Sequence, residues 1–384
     1  MANQEHMKIL MQGVDAWNEW RQRELTIEPD LRQAQLNGMN LRKIDFRWTN
    51  LAGASLQRAA LSGANLFAAN LQGADLSGAD LGYRGLNGEQ NTHAANLAAA
   101  DLREANLRKA RLVEVDLTEA DLREADLSGA NLNDANLSQA KLSHANLQEA
   151  CLIGAMLFYT DLTGAHLRET DLNLAYFNGA NLSGADISSS HISTANIIQV
   201  RLQNAVQQDL IVDFSPTVTV DTIEVAQLAI AFLRYPRLQE VVKSMTTELA
   251  FIIGDFADER GQVLAMLKEA MRTQNYIPLA LDCADVRKRE IITYLTPLAS
   301  LARFILLDLT GMKRFGEDLQ QLFTAQNQVP TLAFVQADAS DESLVEQLRE
   351  VCSTLQVHSY MAREDVREKA REMIELAGQK VEQN

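Results

Sequence analysis

"ADLREADLSGANL", residues 120–132, sets leucine at 122, 127 and 132, with alanine two positions before each. The spacing is five, and neither regular structure repeats every five: a strand alternates every ~2 residues and a helix turns every ~3.6. The rhythm extends far beyond this stretch. From Leu31 to Leu86 an apolar residue recurs every five positions for twelve units, with Phe46 the one substitute for leucine. After "NGEQNTHAAN" (87–96) it resumes at Leu97 and runs to Leu202 for twenty-two more, with Phe177, Ile187, Ile192 and Ile197 as substitutes. Leu86 to Leu97 is eleven residues, so the break reads as an expelled loop at about 87–95 that replaces two units and re-enters in register. Two positions before each apolar residue stands a small side chain, mostly alanine, with Thr160, Thr170 and Ser190 among the variants, and Asp or Asn usually stands directly before it.

This A(D/N)Lxx pattern over residues 31–205 resembles the pentapeptide-repeat family. The resemblance implies a right-handed quadrilateral β-helix in which each pentad forms one side of a square coil and four complete a turn. Adjacent coils then pair as parallel strands about 4.8 Å apart, so residues i and i+20 stack. Leu102, Leu122, Leu142, Leu162, Leu182 and Leu202 are expected on one inner ladder, with small alanines letting the walls close without a channel. Arg103 is expected over Arg123, with Glu104 and Glu124 beside them to offset the repulsion.

A β-helix has open ends, so caps are expected. Residues 1–29 carry Ile9, Leu10, Val14, Trp17 and Trp20 at near-helical spacing, which predicts a capping helix over the first coil. The array is placed at 30–206. Residues 207–247, including "DTIEVAQLAIAFLRYPRLQEVVKSM", predict a helix, a break near Pro236 and a second short helix. That helical segment would cap the last coil, link domains or make a dimer contact.

From about 248 to 384 the period changes. Apolar runs "ELAFIIGDF", "YIPLALD", "RFILLDLT", "PTLAFVQAD" and "LQVHSY" alternate with helical patterns over 258–275, 286–301, 315–326, 341–352 and 362–380. Val263, Leu264, Leu267 and Met271 share one helical face. Five βα units predict a parallel, doubly wound sheet of flavodoxin-like order. Ligands of such sheets bind beyond the strand ends at the switch point between the first and third strands. That selects Gly254, Asp255 and Phe256 after the first strand, and Asp308, Leu309 and Thr310 after the third.

"FIIGDF", "YIPLALD" and "RFILLDLTG" followed by "EDLQQL" resemble Toll/interleukin-receptor (TIR)-like domains, in particular a group found behind pentapeptide repeats in bacteria, especially cyanobacteria. The resemblance implies signalling by self-association or, in some relatives, cleavage of NAD at the nicotinamide glycosidic bond. Those relatives use a glutamate on the helix after the third strand, which carries over to Asp318-Leu319 with Glu317 one residue earlier. The Ser and Trp that usually precede that acid are replaced by Lys313-Arg314-Phe315. Glu317 and Asp318 therefore have two readings: catalytic carboxylates that hold ribose hydroxyls and stabilise an oxocarbenium centre, or negative charge at a helix N-terminus.

Composition sets the outer bounds. A net charge of −16 argues against nonspecific binding to nucleic acid or anionic lipid. The array itself, 30–209, holds 20 acids and 14 bases, a net of only −6, which weakens the DNA-mimic, topoisomerase-binding role known for some pentapeptide-repeat proteins. Cys151, Cys283 and Cys352 lie far apart, and the six histidines form no metal-ligand spacing, so no metal and no disulfide framework are expected. No signal peptide or membrane span is read, and the protein is expected in the cytoplasm. The leading expectation is a non-catalytic scaffold with a protein partner, self-associating through the helical linker or the TIR-like domain. It has no cofactor, and NAD or another nucleotide is the alternative ligand.

Overall fold

The computed structural model describes residues 1–83, 93–214, 217–234, 249–257, 260–284, 291–299, 301–325, 329–337, 342–362 and 365–381. They form two compact units, Met1–Gln208 and Asp209–Asn384.

The first unit is a stack of square coils. The residue before each inner leucine bridges in parallel to its equivalent on the next coil: Asp101 to Asp121, Asp121 to Lys141, Asp126 to Asn146. Within a rung Leu102 N–H donates to Asp121 O at 2.7 Å, and Asp121 N–H donates back to Ala100 O at 2.9 Å. Each corner is a four-residue turn. In the opening stretch Ala125 N–H donates to Leu122 O at 3.1 Å, and Glu124 takes the left-handed backbone with φ 61°, as a type II turn requires at its third position. The leucines and their preceding alanines are buried along the axis. At Thr160 and Ser190, which replace that alanine, the hydroxyl finds a carbonyl on the coil below: Thr160 Oγ1 donates to Leu137 O at 2.8 Å and Ser190 Oγ to Leu167 O at 2.6 Å. These buried hydroxyls are thus satisfied, whereas those of Thr49 and Ser62 are buried without a hydrogen-bond partner.

The Asp/Asn preference has a local cause. The side-chain oxygen accepts from the amide two residues on, inside the turn: Ser128 N–H to Asp126 Oδ1 at 3.0 Å, Asn133 N–H to Asn131 Oδ1 at 3.1 Å. These bonds fix the corner.

The register across the break differs from the sequence expectation. Asn65 bridges to Asn96, and Asp80 to Arg111, so Leu97 takes the rung above Leu66. Leu81 is the last side before the insertion, and Leu86 lies outside the described residues. Ala95 N–H donates to Leu81 O at 2.8 Å, which puts Ala95 inside the array and ends the loop before it. The chain leaves and re-enters at one corner, a geometry that counting by fives cannot see. A second difference concerns Arg103 and Arg123. Each forks onto its own coil's aspartate, Asp101 and Asp121, at 2.6–2.8 Å, so Asp101 and Asp121, and not Glu104 and Glu124, relieve the stacked pair.

The N-terminal segment forms two helices, α1 (Gln4–Leu10) and α2 (Val14–Arg23), where one was expected; Gly13 separates them. Helix α2 covers the exposed edge of the first coil. Trp17 is fully buried, stacks edge-on against Phe46 at 5.5 Å, and donates Nε1–H to Asp45 O at 2.8 Å. Asn18 donates to Lys43 O at 2.9 Å and accepts from Asp45 N–H at 2.8 Å. Arg21 donates to Arg47 O at 3.0 Å and Ile27 O at 2.7 Å. Side chains satisfy backbone groups that a lower coil would otherwise pair.

The second unit is a seven-stranded sheet: β1 (Leu210–Phe214), β2 (Thr217–Val220), β3 (Leu249–Gly254), β4 (Ile277–Asp282), β5 (Phe304–Asp308), β6 (Thr331–Gln336) and β7 (Leu355–Tyr360). The order is β1-β2-β4-β3-β5-β6-β7. The last five strands are parallel and run second, first, third, fourth, fifth, the flavodoxin-like order. Helices α3 (Ile223–Arg234), α4 (Gly261–Thr273), α5 (Ile292–Ala299), α6 (Gly316–Ala325), α7 (Glu342–Val351) and α8 (Asp365–Val381) accompany them. The apolar face of α4 buries Val263, Leu267 and Met271, with Leu264 partly buried against the same core.

The segment 207–247 departs from its helical reading. It opens with an antiparallel hairpin, β1–β2, which adds to the sheet beside β4 with Val218 opposite Leu281; Val218 and Val220 alternate inward while Thr217 and Thr219 do not. One helix, α3, follows, and the break near Pro236 and the second helix lie outside the described residues. Three ion pairs hold the hairpin to α4, Lys268 with Asp209 and Arg272 with both Asp209 and Asp221. Lys268, almost wholly buried, pairs with Asp209 and donates to Thr219 Oγ1 at 2.9 Å, and Arg272 Nη2 donates to Asp221 Oδ1 at 2.6 Å. Burial opposes the Asp209 charge, but Lys268 and Arg272 outweigh it and hold its carboxyl below the usual range.

Candidate functional site

The switch point lies where β3 and β5 diverge. Gly254 ends β3, and the Phe256 ring lies so close over it that a Cβ there would stand 2.5 Å from the ring. Glycine is required by that contact. Phe256 is thereby a core residue, 4% exposed, packed with Val263 and Leu267.

Asp308 ends β5 at 0% exposure. Its carboxylate pairs with Arg260 Nη2 and accepts Thr310 N–H at 3.1 Å. Burial raises its proton affinity, and Arg260 and the Thr310 bonds oppose that rise without cancelling it. Arg260 also donates Nε–H to Asp255 O at 3.0 Å, so one guanidinium bridges the two strand ends. Asp255 in turn accepts from Arg314 Nη2 at 3.0 Å, and the same nitrogen donates to Cys283 O at 2.8 Å and Ala284 O at 2.7 Å. Thr310 Oγ1 accepts Gln336 N–H at 3.1 Å, tying the third strand end to the fourth.

Glu317 and Asp318 lie in the first turn of α6, which follows a 3₁₀ turn, Met312–Phe315. Glu317 is exposed and Asp318 half-buried. Glu317 lines a shallow groove of about 340 Å³ with Lys313, Arg314, Gln320, Ser343 and Gln347. Arg314 is shared by this groove and the Asp255 cluster.

Of the residues selected from the sequence, Asp255, Asp308 and Thr310 fall into one network, which arginine organises, whereas Phe256 packs in the core and Glu317 only lines a groove that shares Arg314 with it. Arg260, Arg314 and Asp282 were missed. Asp282 accepts Phe256 N–H at 3.1 Å and Ala284 N–H at 2.9 Å. The signal for Asp282 was present, since it ends the second parallel strand beside the switch point. Arg260 and Arg314 carry no sequence signal, because each reaches its carboxylate across 48 or 59 residues of chain. Cys283 is buried, and burial pushes its thiol well above the usual range, with Asp282 and Asp255 adding to the rise; it is no thiolate nucleophile. Among the described residues no group of His, Cys, Asp and Glu is placed to hold a metal, and no helix is long and apolar enough to cross a membrane.

Square coils and a doubly wound sheet define a repeat solenoid joined in one chain to an α/β unit. The family model "Pentapeptide repeats" matches it in eight copies, over 30–66, 44–82, 95–134, 120–157 and 157–193, so residues 30–82 and 95–193 carry pentapeptide repeats. Among solved structures the chain is similar to HetL, a pentapeptide repeat protein involved in heterocyst differentiation regulation from the cyanobacterium Nostoc sp. strain PCC 7120 (28% identity, 50% of this chain and 95% of that one, TM-score 0.26). It is also similar to the pentapeptide repeat protein Rfr23 from the cyanobacterium Cyanothece 51142 (24%, 37% and 85%, TM-score 0.21). A third is QnrB1, a plasmid-mediated fluoroquinolone resistance protein (16%, 44% and 85%, TM-score 0.24). No curated protein matches the chain in sequence.

Proposed function

We propose that this is a non-catalytic interaction protein, a pentapeptide-repeat array carrying a TIR-like signalling or self-association module. The observation that carries the reading is the state of the switch-point acids. Asp308 is buried on Arg260 and Asp255 is held by Arg314, so the carboxylates that would meet a ligand are spent on intramolecular pairs. Such pairs fix loop geometry and leave neither Asp308 nor Asp255 free to act as a general base. The array adds a packed axis and flat walls. The strand order and the acids at the strand ends support the TIR-like reading. Free thiols at Cys151, Cys283 and Cys352 fit a cytoplasmic setting.

One observation favours a second reading, NAD glycohydrolysis. Glu317 is exposed in a groove beside Lys313 and Arg314, where a carboxylate could face a ribose and cations a pyrophosphate. The DNA-mimic role is the weakest, because Arg103 and Arg123 neutralise the acids on their own rungs. Analysis of purified full chain for co-purified nucleotide, together with its solution mass, tests the choice. Nucleotide-free protein that self-associates or carries a protein partner is expected; an inert monomer bearing stoichiometric nucleotide would contradict it.

A further inference from the structure

One wall of the β-helix departs from the rest. Its rungs run Asn65, Asn96, Asp116, Asn136, Met156, Tyr176 and Asn196, a span of about 29 Å at the usual strand spacing. Its outward positions, the rung residue and the two after each inner leucine, carry only two charges between Asn65 and Gln199, Asp116 and Glu119. Asp116 is already engaged by Thr118. A neighbouring wall, by contrast, stacks Asp101, Arg103 and Glu104 on Asp121, Arg123 and Glu124.

At Arg111, Lys141, Cys151 and His166 on other walls, a rung that lacks Asp or Asn carries a polar or small residue, but on this wall it carries a large apolar or aromatic one. Met156 and Tyr176 stand where Asp or Asn would accept the corner amide, so both corners give up that bond. Phe158 stacks on Tyr176 at 5.9 Å between ring centroids. Tyr159 adopts the left-handed backbone, φ 57°, which disfavours a bulky side chain, and lies across the Cα of Gly179, where a Cβ would come within 2.5 Å of its ring. Tyr159 is nevertheless 70% exposed, Tyr176 42% and Ile198 51%. These departures give up a local preference of the repeat and, beyond the packing of Phe158 on Tyr176 and of Tyr159 over Gly179, leave apolar surface exposed, which is the mark of a binding face.

We infer that this wall pairs with the same wall of a second copy of the chain. Charge decides the occupant. The chain carries −16 overall, so copies repel wherever charged surfaces meet, and a basic partner would find almost no acids here. A flat, uncharged, aromatic surface is the complement, and a two-fold contact supplies one by setting this wall against itself. The expected dimer is reversible, with a dissociation constant on the order of micromolar. The inference rests on the interaction-protein reading and names its partner.

The test is sedimentation equilibrium of the full chain from about 1 to 500 μM, beside Tyr159→Asp and Tyr176→Asn. The second variant restores the residue type the repeat prefers, so it keeps the fold. Dimerisation weakened at least tenfold in both variants, with unchanged far-UV circular dichroism, is expected. A photo-crosslinker at position 159 should join one copy to residues 153–179 of another. A dimer insensitive to both variants, or a crosslink to a different protein, would overturn this pairing while leaving the interaction reading intact; a monomer at every concentration, with no bound protein, would overturn both.

Discussion

The guanidinium of Arg260 rests on the buried carboxylate of Asp308 while its Nε–H reaches the Asp255 carbonyl at 3.0 Å. One side chain on the loop before α4 therefore closes the point at which the sheet reverses its winding. Removing either partner leaves a charge in a site with little water. Asp308→Ala or Arg260→Met is expected to cost about 3–5 kcal/mol in urea unfolding, and the Arg260→Met/Asp308→Leu pair less than the sum.

The hairpin latch is asymmetric. Lys268 is almost fully buried, whereas Asp209 keeps a 39% exposed side chain and has Arg272 at 3.6 Å as a second cation. Asp209→Ala strands the buried ammonium and is expected to cost about 2–4 kcal/mol, while Lys268→Met leaves a carboxylate that Arg272 and water still serve and should cost about half that. Equal losses by chemical denaturation would contradict the assignment.

The corner bonds of the array predict opposite signs for two substitutions. Asn131→Ala removes the acceptor of Asn133 N–H and is expected to destabilise by about 0.5–1.5 kcal/mol. Met156→Asn supplies an acceptor where none exists and should be neutral or stabilising by up to about 1 kcal/mol. Thermal unfolding of both variants checks the pair.

Acid acts on the array through its aspartates. Arg32 bonds and charge hold the Asp30 carboxyl down to about 2, and Arg103 and Arg123 lower Asp101 and Asp121 in the same way. A folded-state value below the unfolded ~3.9 means stability that is present above about pH 4 and lost as pH falls through the folded value. Asp308 has the opposite sign, since burial raises it. The pH slope of unfolding free energy between about 4 and 2 is expected to be shallower in Asp101→Asn/Asp121→Asn than in the parent; an unchanged slope would show that these pairs are fully screened.

Trp17, Trp20 and Trp48 all lie in the first unit, so tryptophan fluorescence reports on the array. Trp17→Phe removes the Nε1 bond to Asp45 O but keeps most of the ring packing, and Trp17→Ala removes both. The expected losses are about 1 and about 3–5 kcal/mol, with the second exposing the edge of the first coil.

What was legible in the sequence was whatever repeats or whatever is buried on both faces. Leu122, Leu127 and Leu132 announce the coil because a period of five has few structural solutions, and the runs FIIG, LALD and FILLD announce parallel strands because both faces are covered. The hairpin was obscured by its position. "LIVDF" and "TVTV" are β-branched and alternate, but they lie between an array and a helix where a cap was expected. The break at Leu81 deceived because eleven residues happen to resemble two pentads plus one. At the candidate site the acids were visible as strand ends, whereas Arg260 and Arg314 were not, since a long side chain chooses its partner in three dimensions.

The proposed interaction role requires that the α/β unit not hydrolyse NAD. Purified full chain, concentrated enough to associate, is incubated with NAD and assayed for nicotinamide. No release above a protein-free control is predicted; release that disappears in a Glu317→Ala/Asp318→Ala variant of unchanged fold would contradict the claim and make those acids catalytic.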